Sequence, residues 1–366
     1  MILRELRLSN FRNFKRTQVN FSNLVIFFGG NASGKTNLLE AIYFLAYTFS
    51  FREKDSSFLI KYNENFSHLW GLVENQKEMA LEVFLVKKNN SVEKKVKVKS
   101  LQKKLSDFLG NLNVVLFSPT DLDLILGPPT LRRRYFNLVI SQIDSRYRGN
   151  LLKFRSLLKA RNKLLFLLSQ GKGKISELDF WNSKLVELGS FLILKRKKAL
   201  EFFKKWCPVA YEALTSEKKD FEVEYKPQIK GESLEEIQKD FKRNLQKSQE
   251  QEIKWGFSIV GPHRDEFLFT LGGKLAASEA SRGEIRTAVV ALKFIELKFL
   301  EEGGKRPILL LDDVFSELDE VRRDFLCRLF GRQQTIVTTT DLDHIKPSFR
   351  KGAKIIKIED GKLIEI

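Results

Sequence analysis

The chain opens with stretches in which apolar and polar positions are mixed or alternate, over 2–8 and 19–21. A continuous apolar run, Leu24–Phe28, then stops at Gly29 and Gly30. Alternation predicts half-buried strands, whereas an unbroken run of this length predicts a strand covered on both faces, as in a parallel sheet. From Gly34 the period changes, and Leu38, Leu39, Ile42 and Leu45 recur at helical spacing. Alternation returns between 78 and 98, predicting a hairpin that turns near Asn89 and Asn90. Val114–Phe117 predicts another short strand, closed by Ser118 and Pro119.

Beyond Gly127, Pro128 and Pro129 the pattern becomes helical, over 131–168 and again over 175–205, with a break at 169–174. Leu151, Phe154, Leu158, Leu165 and Leu168 keep three- and four-residue spacing around Arg161. Leu178, Trp181, Leu185, Leu188, Leu192, Ala199 and Phe202 keep it around Lys195. Two such stripes predict an antiparallel helical hairpin with arms on the order of 40 Å long, the dimensions of a lever. A charged stretch over 215–254, with a possible strand at 221–225, leads back to compact α/β sequence from Gly256. A helix over 287–300 and strands at 307–311 and 335–337 complete that part. The fold class expected is α/β, with a mixed sheet and helices interrupted by an inserted helical segment.

Charge sharpens this picture because it is localised. The 366 residues include 64 Lys and Arg against 46 Asp and Glu, a net charge of +18. Residues 131–200 hold 17 cations and 4 anions, and residues 77–104 hold 9 and 3. Such concentration is the footprint of a polyphosphate partner, and lysine-based solubility is the competing explanation. No apolar run approaches the ~18 residues of a membrane span, and the N-terminus is charged too early for a signal peptide. The expectation is a cytoplasmic protein without a membrane partner. Cys207 and Cys327 lie far apart, and His68, His263 and His344 are the only histidines, which disfavours a disulfide scaffold or a clustered zinc site.

The segment Gly29, Gly30, Asn31, Ala32, Ser33, Gly34, Lys35, Thr36 fits the phosphate-loop pattern, after an apolar strand and before a helix. Glycines let the backbone curl, its N–H groups point at phosphates, and the helix N-terminus adds positive potential. Lys35 is expected on the β/γ-phosphates of ATP and Thr36 on Mg²⁺, a hard cation that takes oxygen ligands. A second apolar strand, 307–311, ends in Asp312 and Asp313. Asp312 is placed to hold the metal or its water, and Asp313 to orient or deprotonate the attacking water. Between the two motifs Ser281 and Gly283 open a helix, offering a hydroxyl and free N–H groups to a γ-phosphate. Thr338, Thr339 and Thr340 end a further strand, and Thr339 is the candidate hydroxyl for sensing water or phosphate.

Several of these segments, in order, resemble the RecF family of SMC-like ABC ATPases: NFRNF, GGNASGKTNLLEAIY, VVLFSP, GPHRDEF, ASRGEIRT and LLLDDVFSELD. The likeness spans essentially the whole chain. It implies an ABC-type ATPase head in two lobes, 1–128 and 251–366, with an inserted helical lever at 129–250. It further implies an ATP-dependent homodimer on DNA, in which Ser281 and Gly283 contact the partner's ATP and hydrolysis is weak and DNA-stimulated. Action at single-strand gaps with the RecR and RecO mediators, loading of the recombinase and a link to the SOS response are implied as well. Arg12 or Phe14 is the candidate contact for adenine, and His263 with Arg264 is expected to order a loop. Thr120 stands where the family tends to carry Glu, and no Gln occupies a convincing Q-loop position. Two other readings remain: a transporter-type ATPase subunit, disfavoured by the 276 residues between Lys35 and Asp312, and a DNA scaffold in which ATP is a switch that is not hydrolysed.

Overall fold

The computed structural model describes residues 1–89, 91–215 and 219–365, so Asn90, expected at a hairpin turn, lies outside the described residues. The chain divides into two compact units, residues 1–121 with 296–366, and residues 122–295. In chain order the first unit begins with β1 (Ile2–Phe11), β2 (Phe14–Asn20) and β3 (Leu24–Phe28), followed by the helix Lys35–Tyr47. Then come β4 (Phe66–Asn75), β5 (Lys77–Lys88), β6 (Ser91–Val98), β7 (Leu101–Gln102) and β8 (Val114–Phe117). The second unit holds the helices Pro129–Ile143, Ser145–Ser169, Leu178–Thr215 and Leu234–Trp255, with β9 (Phe221–Lys226), β10 (Glu266–Leu271) and β11 (Lys274–Leu275). The helix Arg282–Glu302 leads back to the first unit, which closes with β12 (Ile308–Asp312), β13 (Thr335–Thr339), β14 (Lys354–Glu359) and β15 (Lys362–Glu365).

In the first unit one antiparallel sheet has the order β2-β1-β4-β5-β6-β7, and a second has the order β15-β14-β3-β13-β12-β8. The second is parallel from β14 to β8, with β15 antiparallel at its edge. Its central strands are apolar runs because both faces are covered, and Ile308 to Asp312 are all buried. The helix Lys35–Tyr47 is buried along most of its length, which explains its nearly continuous apolar sequence. The strand β4 escapes the periodicity reading above, although Leu69, Gly71 and Val73 alternate inward on it.

The second unit is mainly helical, and it also contains the antiparallel sheet β11-β10-β9. Phe136 stacks on Phe267 of that sheet at a centroid distance of 4.3 Å, and Tyr211 and Phe221 approach at 5.7 Å. The expected single helix over 131–168 is two helices, because Asp144 leaves the helical conformation and caps the second by accepting from the Tyr147 N–H at 2.8 Å. The helix Leu234–Trp255 takes up much of the charged stretch 215–254, where no helix was expected. Its apolar face carries Ile237, Phe241 and Leu245.

Two buried cations organise this unit. Arg161 donates to Glu252 Oε2 and Ser258 Oγ, both at 2.6 Å, and to Asn182 Oδ1 at 2.9 Å. Arg196 donates to Asp265 Oδ2 at 2.8 Å, the Pro262 carbonyl at 2.7 Å and Asn137 Oδ1 at 3.0 Å. Glu252 and Asp265 therefore belong with the helical hairpin, and the chain returns to the first unit at 296, where 251 was expected. The same network takes up part of the positive charge counted over 131–200. Arg196 is buried, Lys195 pairs with Asp144, and Lys197 pairs with Glu232.

Candidate nucleotide-binding site

The parallel sheet brings the carboxyl ends of β3, β12, β13 and β8 to one edge, where ligands of open α/β sheets bind. Residues 29–36 leave β3 there and enter the helix Lys35–Tyr47. Gly29 has φ 159°, and a Cβ on it would lie 2.3 Å from the Ile358 carbonyl oxygen of β14. Gly34 has φ 115°, where a Cβ would lie 2.5 Å from Asn13 Nδ2. Only glycine satisfies both crowding and backbone at these two positions.

Two turns hold this loop. Asn13, in the turn between β1 and β2, donates from Nδ2 to the Ser33 carbonyl at 3.2 Å and accepts from Asn37 Nδ2 at 2.9 Å. Gly361, in the turn between β14 and β15, donates its N–H to the same Ser33 carbonyl at 3.0 Å. Motif reading passed over Asn13, although it sits inside the NFRNF segment. Phe14 is fully buried, and the Arg12 guanidinium makes a two-pronged pair with buried Glu40 at 2.7 and 2.8 Å.

Lys35 is buried and donates from Nζ to the carbonyls of Gly29 and Gly30 at 2.7 and 2.8 Å. Burial lowers its pKa, opposed by the charges of Asp313 and Asp312. Thr36 Oγ1 donates to Asp312 Oδ1 at 2.9 Å, so the two groups expected at a metal are in contact. Burial raises the Asp312 pKa, and the hydroxyls of Thr338 and Thr36 oppose that rise. Asp313 adopts φ 50°. Its backbone N–H reaches the carbonyl and hydroxyl oxygens of Thr338, each at 3.1 Å.

Strand register explains why the threonine on this site is not the expected one. Thr338 is paired with Asp312 across β12 and β13 and donates to Asp312 Oδ1 at 2.9 Å. Thr339 points to the other face, as successive strand residues must. Its hydroxyl donates to the Asp341 carbonyl at 2.7 Å. Beside them β8 ends at Ser118, whose N–H donates to Asp121 at 2.7 Å.

These residues fit a nucleotide with its cation. Ser33 Oγ in the loop and Asp313 Oδ1 are buried polar atoms without hydrogen-bond partners, a costly state that a ligand relieves. No group of three His, Cys, Asp or Glu converges as a metal cage among the described residues. Thr36 and Asp312 instead present the one or two hard oxygens suited to a cation shared with phosphates.

Ser281 and Gly283 lie in the second unit, at the start of the helix Arg282–Glu302. Ser281 and Glu284 cap it reciprocally, the Glu284 N–H donating to Ser281 Oγ at 3.3 Å and the Ser281 N–H to Glu284 Oε2 at 2.8 Å. Lys219 also binds Glu284 at 2.8 Å, and these bonds hold its carboxyl down at about 2. Ser281 and Gly283 are exposed, and a Cβ on Gly283 would meet nothing within 4 Å.

Residues 2–362 match the family described as RecF/RecN/SMC N terminal domain. The DNA replication and repair protein RecF of Latilactobacillus sakei is 35% identical over 375 residues, covering 100% of this chain and 99% of that protein. RecF of Natranaerobius thermophilus is 36% identical, covering 100% and 98%. A solved structure of the recombination mediator protein RecF-ATP in the RecFOR pathway superposes with a TM-score of 0.91 at 32% identity, covering 100% of this chain and 97% of that one. An Smc head domain from Pyrococcus furiosus, at 17% identity and a TM-score of 0.55 over 100% and 96% of the two chains, shares the fold. The architecture is therefore that of an ABC-type ATPase head carrying an inserted, mostly helical unit. Family match, full-length similarity and the phosphate loop with its Asp pair agree: the chain belongs to the RecF family.

Proposed function

We propose that this chain is an ATP-dependent DNA-binding protein of recombinational repair and replication in the cytoplasm, a homodimer on DNA that hydrolyses ATP weakly and in response to DNA. The observation that carries this reading is the contact of Thr36 with Asp312, flanked by the unpartnered Ser33 and Asp313 oxygens. In this reading Gly29 to Thr36 wrap the phosphates and Lys35 leaves its carbonyl partners for the β/γ-phosphates. Thr36 and Asp312 hold Mg²⁺, which when bound neutralises charge on the phosphate oxygens. Asp313 orients the attacking water, and its unpartnered oxygen is free to accept that proton. Thr338 keeps Asp312 turned toward the cation. The exposed Ser281 and Gly283 serve the partner subunit's nucleotide, because nothing in their own surroundings requires glycine at 283.

The wider setting we infer for it is action at single-strand gaps with the mediators RecR and RecO, recombinase loading and a link to the SOS response, a reading supported by the RecF and RecFOR names of its relatives. Sizing the protein with and without ATP and gapped DNA tests the core of this reading. ATP should shift it from monomer to dimer, and gapped DNA should stabilise the dimer. A protein that stays monomeric at saturating ATP and gapped DNA contradicts the proposal.

A further inference from the structure

The closed end of the helical hairpin carries an unusual surface. Phe166, Leu167, Ile175, Phe180, Trp255 and Phe257 all remain exposed there, Phe166 by 58%, Phe180 by 61% and Trp255 by 50%. Leu164, Leu165, Leu168 and Leu178 fill the core beneath, with Trp181 and Ile253 packed against it. The core is thus complete without the outer rings. A Cβ on Gly256 would lie 3.4 Å from the Phe166 Cα, which puts the Trp255–Phe257 corner directly against Phe166. The rings of Trp255 and Phe257 stack at 5.9 Å, and the Arg264 guanidinium lies 5.5 Å from the Phe257 ring.

Charge around these rings is mainly positive, with Glu177 and Asp179 exposed beside Ile175 and Phe180. Between Asp144 and Glu177 the sequence has no acidic residue and nine Lys or Arg. Arg161 is consumed by Glu252 inside the core, but Lys159 and Lys163 are exposed. Together with Phe166 they fall at i, i+4 and i+7 and so line one side of the helix. Exposed apolar patches with a charged rim mark interaction sites. A second copy presenting the same face would meet an excess of like charge. Duplex DNA matches the charge but keeps its base faces stacked inside. A single strand offers both phosphates for the lysines and free base faces for the rings.

We propose that this end of the hairpin, centred on Phe166, Trp255 and Phe257, is a docking face for single-stranded DNA, with Lys159 and Lys163 tracking the backbone. This rests on the DNA-binding reading above and assigns it residues other than those of the nucleotide site. The test uses the full chain and an oligothymidylate of about 16 nucleotides. Binding should quench the emission of Trp255, a change seen in the parent and absent in Trp255→Phe. That variant keeps a stacking ring and should hold its affinity within about twofold. The double change Phe166→Ala, Trp255→Ala should weaken single-strand binding by about 10-fold or more, the scale of lost base stacking. Duplex binding, ATP binding and the thermal midpoint should stay near those of the parent.

Unchanged single-strand affinity in the double variant, or Trp255 emission that ignores the oligonucleotide, overturns the proposal. The same holds if the double change weakens only binding to anionic lipid vesicles, which would make the patch a membrane contact. If the parent chain binds no DNA of any form, the failure lies with the functional reading itself.

Discussion

At the scale of single residues the nucleotide site is held ready by side chains that occupy substitutes for the ligand. Lys35 spends its protons on two carbonyls of its own loop, and Thr36 spends its hydroxyl on Asp312. Exchanging these bonds for phosphate and cation contacts costs little reorganisation. Losing Lys35 removes a charge-assisted partner that nothing else in the loop supplies. Lys35→Met is expected to weaken ATP binding about 10- to 100-fold, measured by equilibrium titration. The two aspartates should separate binding from chemistry. Asp313→Asn is expected to bind ATP near normally while turnover falls about 10²- to 10⁴-fold, and Asp312→Asn to lose its response to Mg²⁺. Full turnover in Asp313→Asn would move the water-orienting role to another residue, with Glu317 the first acidic candidate after the Asp pair.

At the scale of elements, the helical hairpin depends on buried charge in full pairing. Arg161 and Glu252 are both completely buried. Burying such a pair gains little net stability, but stripping one partner leaves an uncompensated charge. Glu252→Gln should therefore cost about 3–5 kcal/mol in a denaturant melt, and the double change Arg161→Met, Glu252→Leu should recover most of it. The loop beneath adds an acid sensitivity. Burial lowers the His263 pKa from 6.5 to about 4. Between those values the unfolded chain binds the proton and the folded chain does not, so stability falls as pH drops from 6.5 to 4 and is unaffected by this group above that window. In His263→Gln that part of the acid slope should disappear from thermal melts taken across the same range.

At the scale of the whole molecule, the proposed head-to-tail dimer makes each ATP site composite, with Lys35 from one subunit and Ser281 from the other. Ser281 is exposed at its helix start, so Ser281→Arg should leave the monomer fold and its ATP binding near normal. It should abolish dimerisation on ATP, as read by sizing. Mixing Ser281→Arg chains with Lys35→Ala chains pairs an intact phosphate loop with an intact serine once per dimer. About half of the parent activity per dimer is the upper bound by site counting. Normal ATP-driven dimerisation of Ser281→Arg alone would end the assignment of Ser281 to the partner's nucleotide.

What the linear order carried by itself was chemistry bound to local pattern. Apolar strands ending in a glycine loop or an Asp pair, and the Ser–Gly helix start, are each dictated within about ten residues, so periodicity and spacing suffice. The hairpin stripes around Arg161 were legible for the same reason, while the helix at 234–255 was hidden because its polar majority masks a narrow apolar face. Tertiary structure alone decided what depends on residues distant in sequence. Asn13 and Gly361 clamp Ser33 only because sheet order brings two remote turns to one loop. Thr338 displaced Thr339 because a parallel register set the former beside Asp312. Arg196 left the basic surface because burial beside Asp265 turned it from a cation for solvent or phosphate into a pin of the core. A charge in a sequence has no inside or outside until packing removes it from water.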